Sequence, residues 1–144
     1  MNREIKFRGK RVDNEKFVKG DLLHGVNHKK GKMYILPIIG GVMGLGHGLD
    51  PLDGYEVMSE TVGQYTGLKD KNGKEIYEGD IVQITIGGVK FNFGVVTFGK
   101  FKAEIYECYG WYVYLNGKQT SEAGLYEEFE IVGNVYENPE LLKQ

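Results

Sequence analysis

Three histidines, His24, His28 and His47, and one cysteine, Cys108, are the side chains of this 144-residue sequence best suited to metal binding or nucleophilic chemistry. His24 and His28 lie four residues apart, a spacing that places both on one face only in a helix. The segment "LLHGVNHKKGK" around them carries glycines, an asparagine and a run of lysines, so it reads as a loop, and no third ligand accompanies the pair. Cys108 sits in "EIYECYGWY". A catalytic thiolate needs a base and a positive field, whereas Glu104 and Glu107 supply negative charge. A small buried hydrophobe is the expected role for it. A lone cysteine also excludes an internal disulfide and any CxxC metal knuckle. The glycines Gly40, Gly41, Gly44, Gly46 and Gly48 invite comparison with a phosphate-binding loop, but no Lys-Ser/Thr pair follows and no helix start stands behind them. They read as a connection whose Val42, Met43 and Leu45 are available to another subunit. The acid pair Glu127-Glu128 fits a solvated loop. Nothing here points to catalysis, and neither a metal nor a cofactor is expected.

Two constellations suit binding instead. The first is basic. Residues 1–33 hold ten Lys/Arg and four acids, net +6, while the remainder holds eight Lys and sixteen acids, net −8. Arg3, Lys6, Arg8, Lys10 and Arg11 concentrate this charge near the N-terminus and form a candidate nucleic-acid contact. The same polarity would also let opposite ends attract, within one chain or between copies. The second constellation is aromatic: Tyr109, Trp111, Tyr112 and Tyr114 crowd a stretch with acids nearby, which suits a protein interface better than phosphate. No stretch approaches the ~20 apolar residues of a membrane span. A secretory leader is not recognisable after "MNREIKFRGKRV", so a cytoplasmic setting is expected.

These residues must be positioned by short strands. β-branched and aromatic residues recur in runs cut by glycines, the pattern of strands and tight turns. "EIKFRGKRV" sets Ile5 and Phe7 against Lys6 and Arg8, the period of a half-buried strand. "VQITI" sets Val82, Ile84 and Ile86 against Gln83 and Thr85. In "WYVYL", Trp111, Val113 and Leu115 oppose Tyr112 and Tyr114. Gly87-Gly88, Asn116-Gly117 and Asn72-Gly73 are candidate two-residue hairpin turns, because glycine and asparagine accept the positive φ required there. Helix is confined to a turn in "SETVGQY", capped by Ser59, and another in "NPELLKQ", begun at Pro139. A faint repeat aligns Gly20-Asp21 with Gly79-Asp80, each after a polar turn and before an apolar pair. It suggests two β units, residues 1–57 and 58–144, each built on such a corner.

The stretch "SETVGQYTGLKDKNGKEIYEGDIV" resembles the YopX-like family of phage and prophage proteins, through Thr61 to Leu68, Asp70, Asn72-Gly73, Ile76 and Tyr77 to Val82. "REIKFRGKR" and "IVGNVYENPELL" resemble the family's opening and close. The segment from His24 to Leu52 carries no such motif. The resemblance implies a small β-rich protein of temperate phages or prophages of mainly Gram-positive bacteria, with a barrel-like C-terminal part and no established enzymatic activity. Gly73, Gly79, Asp80 and Gly133 are then structural turns, while roles for Tyr65, Tyr77 and Glu78 stay open.

The expectation is therefore an all-β protein of two small β units with very little helix, the C-terminal one an SH3-like barrel. It would be a non-enzymatic accessory protein that forms a homo-oligomer and binds a host or phage protein. The alternative is a nucleic-acid-binding factor working through the basic N-terminal residues.

Overall fold

A computed structural model describes residues 4–24, 31–37, 54–103, 106–115, 118–119 and 129–143. The Gly-rich stretch 40–48, His28, His47, Arg3, Asn116-Gly117 and Glu127-Glu128 lie outside the described residues. Among the described residues the fold is all-β, with two sheets and two short 3₁₀ turns. Among the described residues no helix is long and apolar enough to cross a membrane. The chain divides into two compact units, Met1–Tyr65 and Thr66–Gln144.

In the first unit β1 (Phe7–Lys10), β2 (Phe17–His24), β3 (Met33–Pro37) and β4 (Tyr55–Val57) form an antiparallel meander. β5 (Gly63–Lys69) begins alongside β1, with Gly63 opposite Arg8. One bridge, Arg11 to Val57, brings β4 back toward the chain leaving β1, supported by hydrogen bonds from Val12 N–H to Glu56 O and from Met58 N–H to Lys10 O. Gly9 permits this approach: a Cβ there would meet the Val57 side chain at 3.0 Å. Ile35 and Val57 are buried in this unit. The turn at Ser59–Thr61 follows, with Met58 rather than Ser59 at the cap position and no side-chain cap bond.

The alternation within "EIKFRGKRV" is inverted in space. Ile5 is 63% exposed and Arg8 only 8%. The Arg8 guanidinium lies 4.8 Å from the centre of the Phe17 ring, so an aromatic neighbour covers the face that the polar pattern assigns to solvent. The repeated Gly-Asp corner is not a structural repeat either. Gly20 lies in the middle of β2, where a Cβ would come 2.0 Å from the Leu36 carbonyl oxygen, and Asp21 is exposed. Gly79-Asp80 does turn a corner.

The second unit holds β6 (Glu75–Tyr77), β7 (Asp80–Ile86), β8 (Val89–Ala103), β9 (Tyr106–Leu115), β10 (Lys118–Gln119) and β11 (Glu130–Asn134). Five of them form a sheet in the order β10-β9-β8-β7-β11. Among the described residues no ladder joins its edge strands β10 and β11, so the sheet of the expected barrel unit does not close. Its core is Ile76, Val82, Ile84, Val96, Val113 and Phe129, with Trp111 and Ile131 packed against it. Val82 and Ile84 thus take the inward face that their spacing predicts. Gly87 and Gly88 make the β7–β8 turn with φ of +57° and +80°. Asn72-Gly73 does not form a two-residue turn: it lies inside a connection closed by Asp70 N–H to Lys74 O at 2.8 Å. The C-terminal turn at Pro139–Leu142 begins with its proline, as expected.

Candidate interaction surface

The longest described strands, β8 and β9, run on past their neighbours in the sheet. β7 pairs with β8 as far as Val95, and β10 pairs with β9 as far as Tyr114. β8 and β9 remain paired with each other to Ala103 opposite Tyr106. The stretch from Phe98 to Ala103 extends about 17 Å at the usual strand rise. Gly99 stands opposite Gly110, so the glycines that interrupt the sequence pattern pair across the hairpin instead of ending it.

One face of this hairpin runs from core to solvent. Val96 and Val113 are buried, and the next pair outward is Phe98 opposite Trp111, followed by Lys100 opposite Tyr109. Phe98 is 43% exposed and Tyr109 75%. The Phe98 ring meets Trp111 edge-on with centroids 4.8 Å apart, and meets Tyr109 at 5.2 Å and 86°. Such contacts fix the rings relative to one another while leaving apolar area outside. Trp111 Nε1 is buried with no acceptor among the described residues. Tyr112 and Tyr114 project from the opposite face, the first buried and the second 38% exposed. The four aromatics singled out from sequence therefore divide between two faces. Phe98 completes the exposed cluster, and its signal was the alternation Val96, Phe98, Lys100 continuing past Gly99. Cys108 lies in β9 opposite Phe101.

The basic residues are arranged differently. Lys6, Arg8 and Lys10 alternate along the start of the chain, and all three are engaged. Lys6 pairs with Glu4 at 3.1 Å and lies 4.9 Å from the Tyr65 ring centre. Lys10 Nζ lies 5.8 Å from the Phe17 ring. Arg11 donates Nε–H to Asp13 at 2.9 Å and stacks 3.8 Å from the Tyr55 ring centre. The Asp13 hydrogen bond leads the effects that raise the Arg11 pKa, and the Arg11 bond likewise lowers that of Asp13. Among the described residues no group of three His, Cys, Asp or Glu is placed to hold a metal ion, and His24 is an exposed residue at the end of β2.

The turn residues form a latch around β11. Gly79 has φ +89°, donates its N–H to Val96 O and accepts from Val135 N–H, both at 2.9 Å. A Cβ on Gly79 would touch the Tyr136 ring at 3.0 Å. Asp80, 2% exposed, accepts the Tyr77 N–H at 2.8 Å. Gly133 lies at the β7–β11 register shift, where a Cβ would meet Asn138 Oδ1 at 2.5 Å. Gly73 takes φ +79° in open space. Asp70 was visible only as one letter of a motif. It is 6% exposed and accepts three backbone N–H groups, from Asn72 and Lys74 on Oδ1 at 2.9 Å and from Ile131 on Oδ2 at 3.1 Å. Burial alone would raise its pKa, but the N–H groups of Ile131, Lys74 and Asn72 with the Lys74 charge outweigh that and hold it below the ordinary value. Tyr65 and Tyr77 are buried as well.

A model of the family described as YopX protein matches residues 6–143. The chain belongs to the YopX family. Among solved structures it is similar to the crystal structure of protein EF1440 from Enterococcus faecalis, at 21% identity and a TM-score of 0.46, covering 96% of this chain and 98% of that one. No curated protein matches it. Every described turn residue of the latch lies inside the region matched by the family.

Proposed function

We propose that this YopX-family chain is a non-enzymatic accessory protein of phage or prophage origin, acting in the host cytoplasm as a self-assembling protein-interaction module. The observation that carries the reading is the cluster of Phe98, Trp111 and Tyr109, held edge to face on an extended hairpin with Tyr109 75% exposed. Clustered, rigid aromatics of this kind are enriched where proteins meet, because large area is presented with few rotatable bonds. In this reading residues 58–138 are an SH3-like framework, open at its edges, from which the hairpin reaches a second copy or a host or phage protein.

The alternative assigns nucleic-acid binding to Arg3, Lys6, Arg8, Lys10 and Arg11. It is disfavoured by the burial of Arg8 and by the acid partners of Lys6 and Arg11, since phosphate contacts would have to displace them. Sedimentation of the wild type and of Phe98→Ser/Tyr109→Ser over a concentration and salt series separates the readings. Association that persists at high salt and is lost in the double variant supports the module. A protein that stays monomeric at every concentration, yet binds nucleic acid with an affinity falling steeply with salt and weakened by Arg8→Gln/Arg11→Gln, overturns it.

A further inference from the structure

Asn-Gly sequences are the usual sites of spontaneous deamidation, because glycine leaves its backbone nitrogen unshielded next to the asparagine side chain. This chain has two, Asn72-Gly73 and Asn116-Gly117, and the first is built into the latch. The Gly73 N–H donates to Asp70 O at 3.0 Å, and the Asn72 N–H donates to Asp70 Oδ1 at 2.9 Å. The neighbouring Lys71 holds the Glu130 carboxylate at 2.9 Å, and the Asn72 side chain joins it in lowering the Glu130 pKa, which places the amide beside that carboxylate. The Gly73 nitrogen and the Asn72 backbone N–H are thus both tied to Asp70 in the folded turn, with the Asn72 amide beside a carboxylate. Neither restraint depends on depth, since residues 71–74 are all exposed.

We infer that Asn72 is a latent modification site, protected while the Asp70 and Glu130 contacts hold, whose conversion releases β11. The chemistry needs only base and water. Base removes the proton of the Gly73 N–H, and the nitrogen attacks Asn72 Cγ. The Cγ–Nδ2 bond breaks, ammonia leaves, and a five-membered imide remains. Water then opens either imide carbonyl, giving aspartate or isoaspartate, with no change of oxidation state. Aspartate places a second carboxylate beside Glu130. Isoaspartate adds a backbone carbon between the Asn72 and Lys74 N–H groups that both reach Asp70 Oδ1. Either product disturbs the carboxylate that also receives the Ile131 N–H of β11.

The test is peptide mass spectrometry, resolving aspartate from isoaspartate, after incubation at mildly alkaline pH. Folded wild type is expected to convert Asn72 about ten-fold more slowly than the urea-unfolded chain, the effect of roughly two net hydrogen bonds that must open first. Asp70→Ala should bring Asn72 toward the unfolded rate, with Trp111 fluorescence unchanged as the check that the core stays folded. Should that variant fail to fold, Glu130→Gln is expected to speed Asn72 about three-fold. In Asn72→Asp, amide exchange at Ile131 should accelerate relative to wild type. Equal Asn72 rates in folded and unfolded protein would overturn the protection. Unchanged Ile131 exchange in Asn72→Asp would overturn the release.

Discussion

Replacing Asp70 tests whether one carboxylate pins the turn after β5 to β11. The side chain is 6% exposed and accepts three backbone N–H groups. Two donors, Asn72 and Lys74, belong to exposed residues and regain water when the acceptor is lost, so each contributes about 0.5–1 kcal/mol. The Ile131 N–H lies in a half-buried edge strand and is left without that acceptor, at about 1–2 kcal/mol. Asp70→Ala should therefore cost about 3 kcal/mol, a large share of a typical ~5–15 kcal/mol domain stability. Asp70→Asn should fall between, at about 2 kcal/mol. Its amide oxygen can still accept from Asn72 and Lys74, while its NH₂ faces the Ile131 N–H donor to donor.

The pH dependence follows with a fixed sign. The Asp70 pKa is lowered on folding, so the folded state favours its ionised form. Its contribution is fully present above the unfolded aspartate value near ~4 and is lost as pH falls through the lower folded value. Urea unfolding followed by Trp111 fluorescence, from Trp111 packed on the core of the same unit, measures both effects. Wild type should lose stability relative to Asp70→Asn as pH is lowered from about 5 toward 3. Variants within about 0.5 kcal/mol of wild type, or parallel pH curves for wild type and Asp70→Asn, would refute the pinning.

Gly20→Ala drives a Cβ into the Leu36 backbone, so it should cost about 3 kcal/mol or more and lower the melting temperature accordingly. Glu15 holds φ +59° in the turn between β1 and β2 and is exposed, so Glu15→Gly should stabilise by about 0.5 kcal/mol in a denaturant titration. Gly133→Ala must displace Asn138, whose Oδ1 accepts the Asn134 N–H at 3.3 Å. A loss of about 1–2 kcal/mol, with faster amide exchange at Asn134, is expected.

How much the sequence revealed depended on whether one local rule governed each element. Gly87-Gly88 was legible because a two-residue turn needs only the φ freedom of its own residues. Val82 and Ile84 were legible because β7 has a face turned to a core. The inner face of β1 was not, since Arg8 is covered through Phe17, nine positions along the chain, a contact no period-2 pattern encodes. The Gly-Asp match misled for a related reason. Gly20 is required by the close passage of Leu36, and Gly79 by a positive φ beside Tyr136, so one dipeptide answers two unrelated constraints. Gly99 and Gly110 interrupt apolar runs in the sequence, and only their pairing across the hairpin shows that neither ends a strand.

The division between latch and hairpin bears on where specificity resides. Among the residues that carry the family resemblance, Asp70, Gly73, Gly79, Asp80 and Gly133 are turns, buried acceptors and a bulge. Each is accounted for by a backbone partner, a φ or a close approach within the second unit. Their chemistry is spent on holding β6, β7 and β11 in register. Phe98, Trp111 and Tyr109 contribute differently: their register is set by the β8–β9 ladder, yet the outer rings add little to the core that Val96 and Val113 already fill. Truncating a ring that remains 75% exposed removes little folding energy, so Tyr109→Ser should leave stability within about 0.5 kcal/mol of wild type. Substitutions in the latch should shift stability first, and the proposed association only as far as the scaffold fails. Substitutions at Tyr109 should do the reverse. Under the proposed function, a partner surface can diverge on the hairpin without disturbing the latch, whose residues lie within the region matching the family.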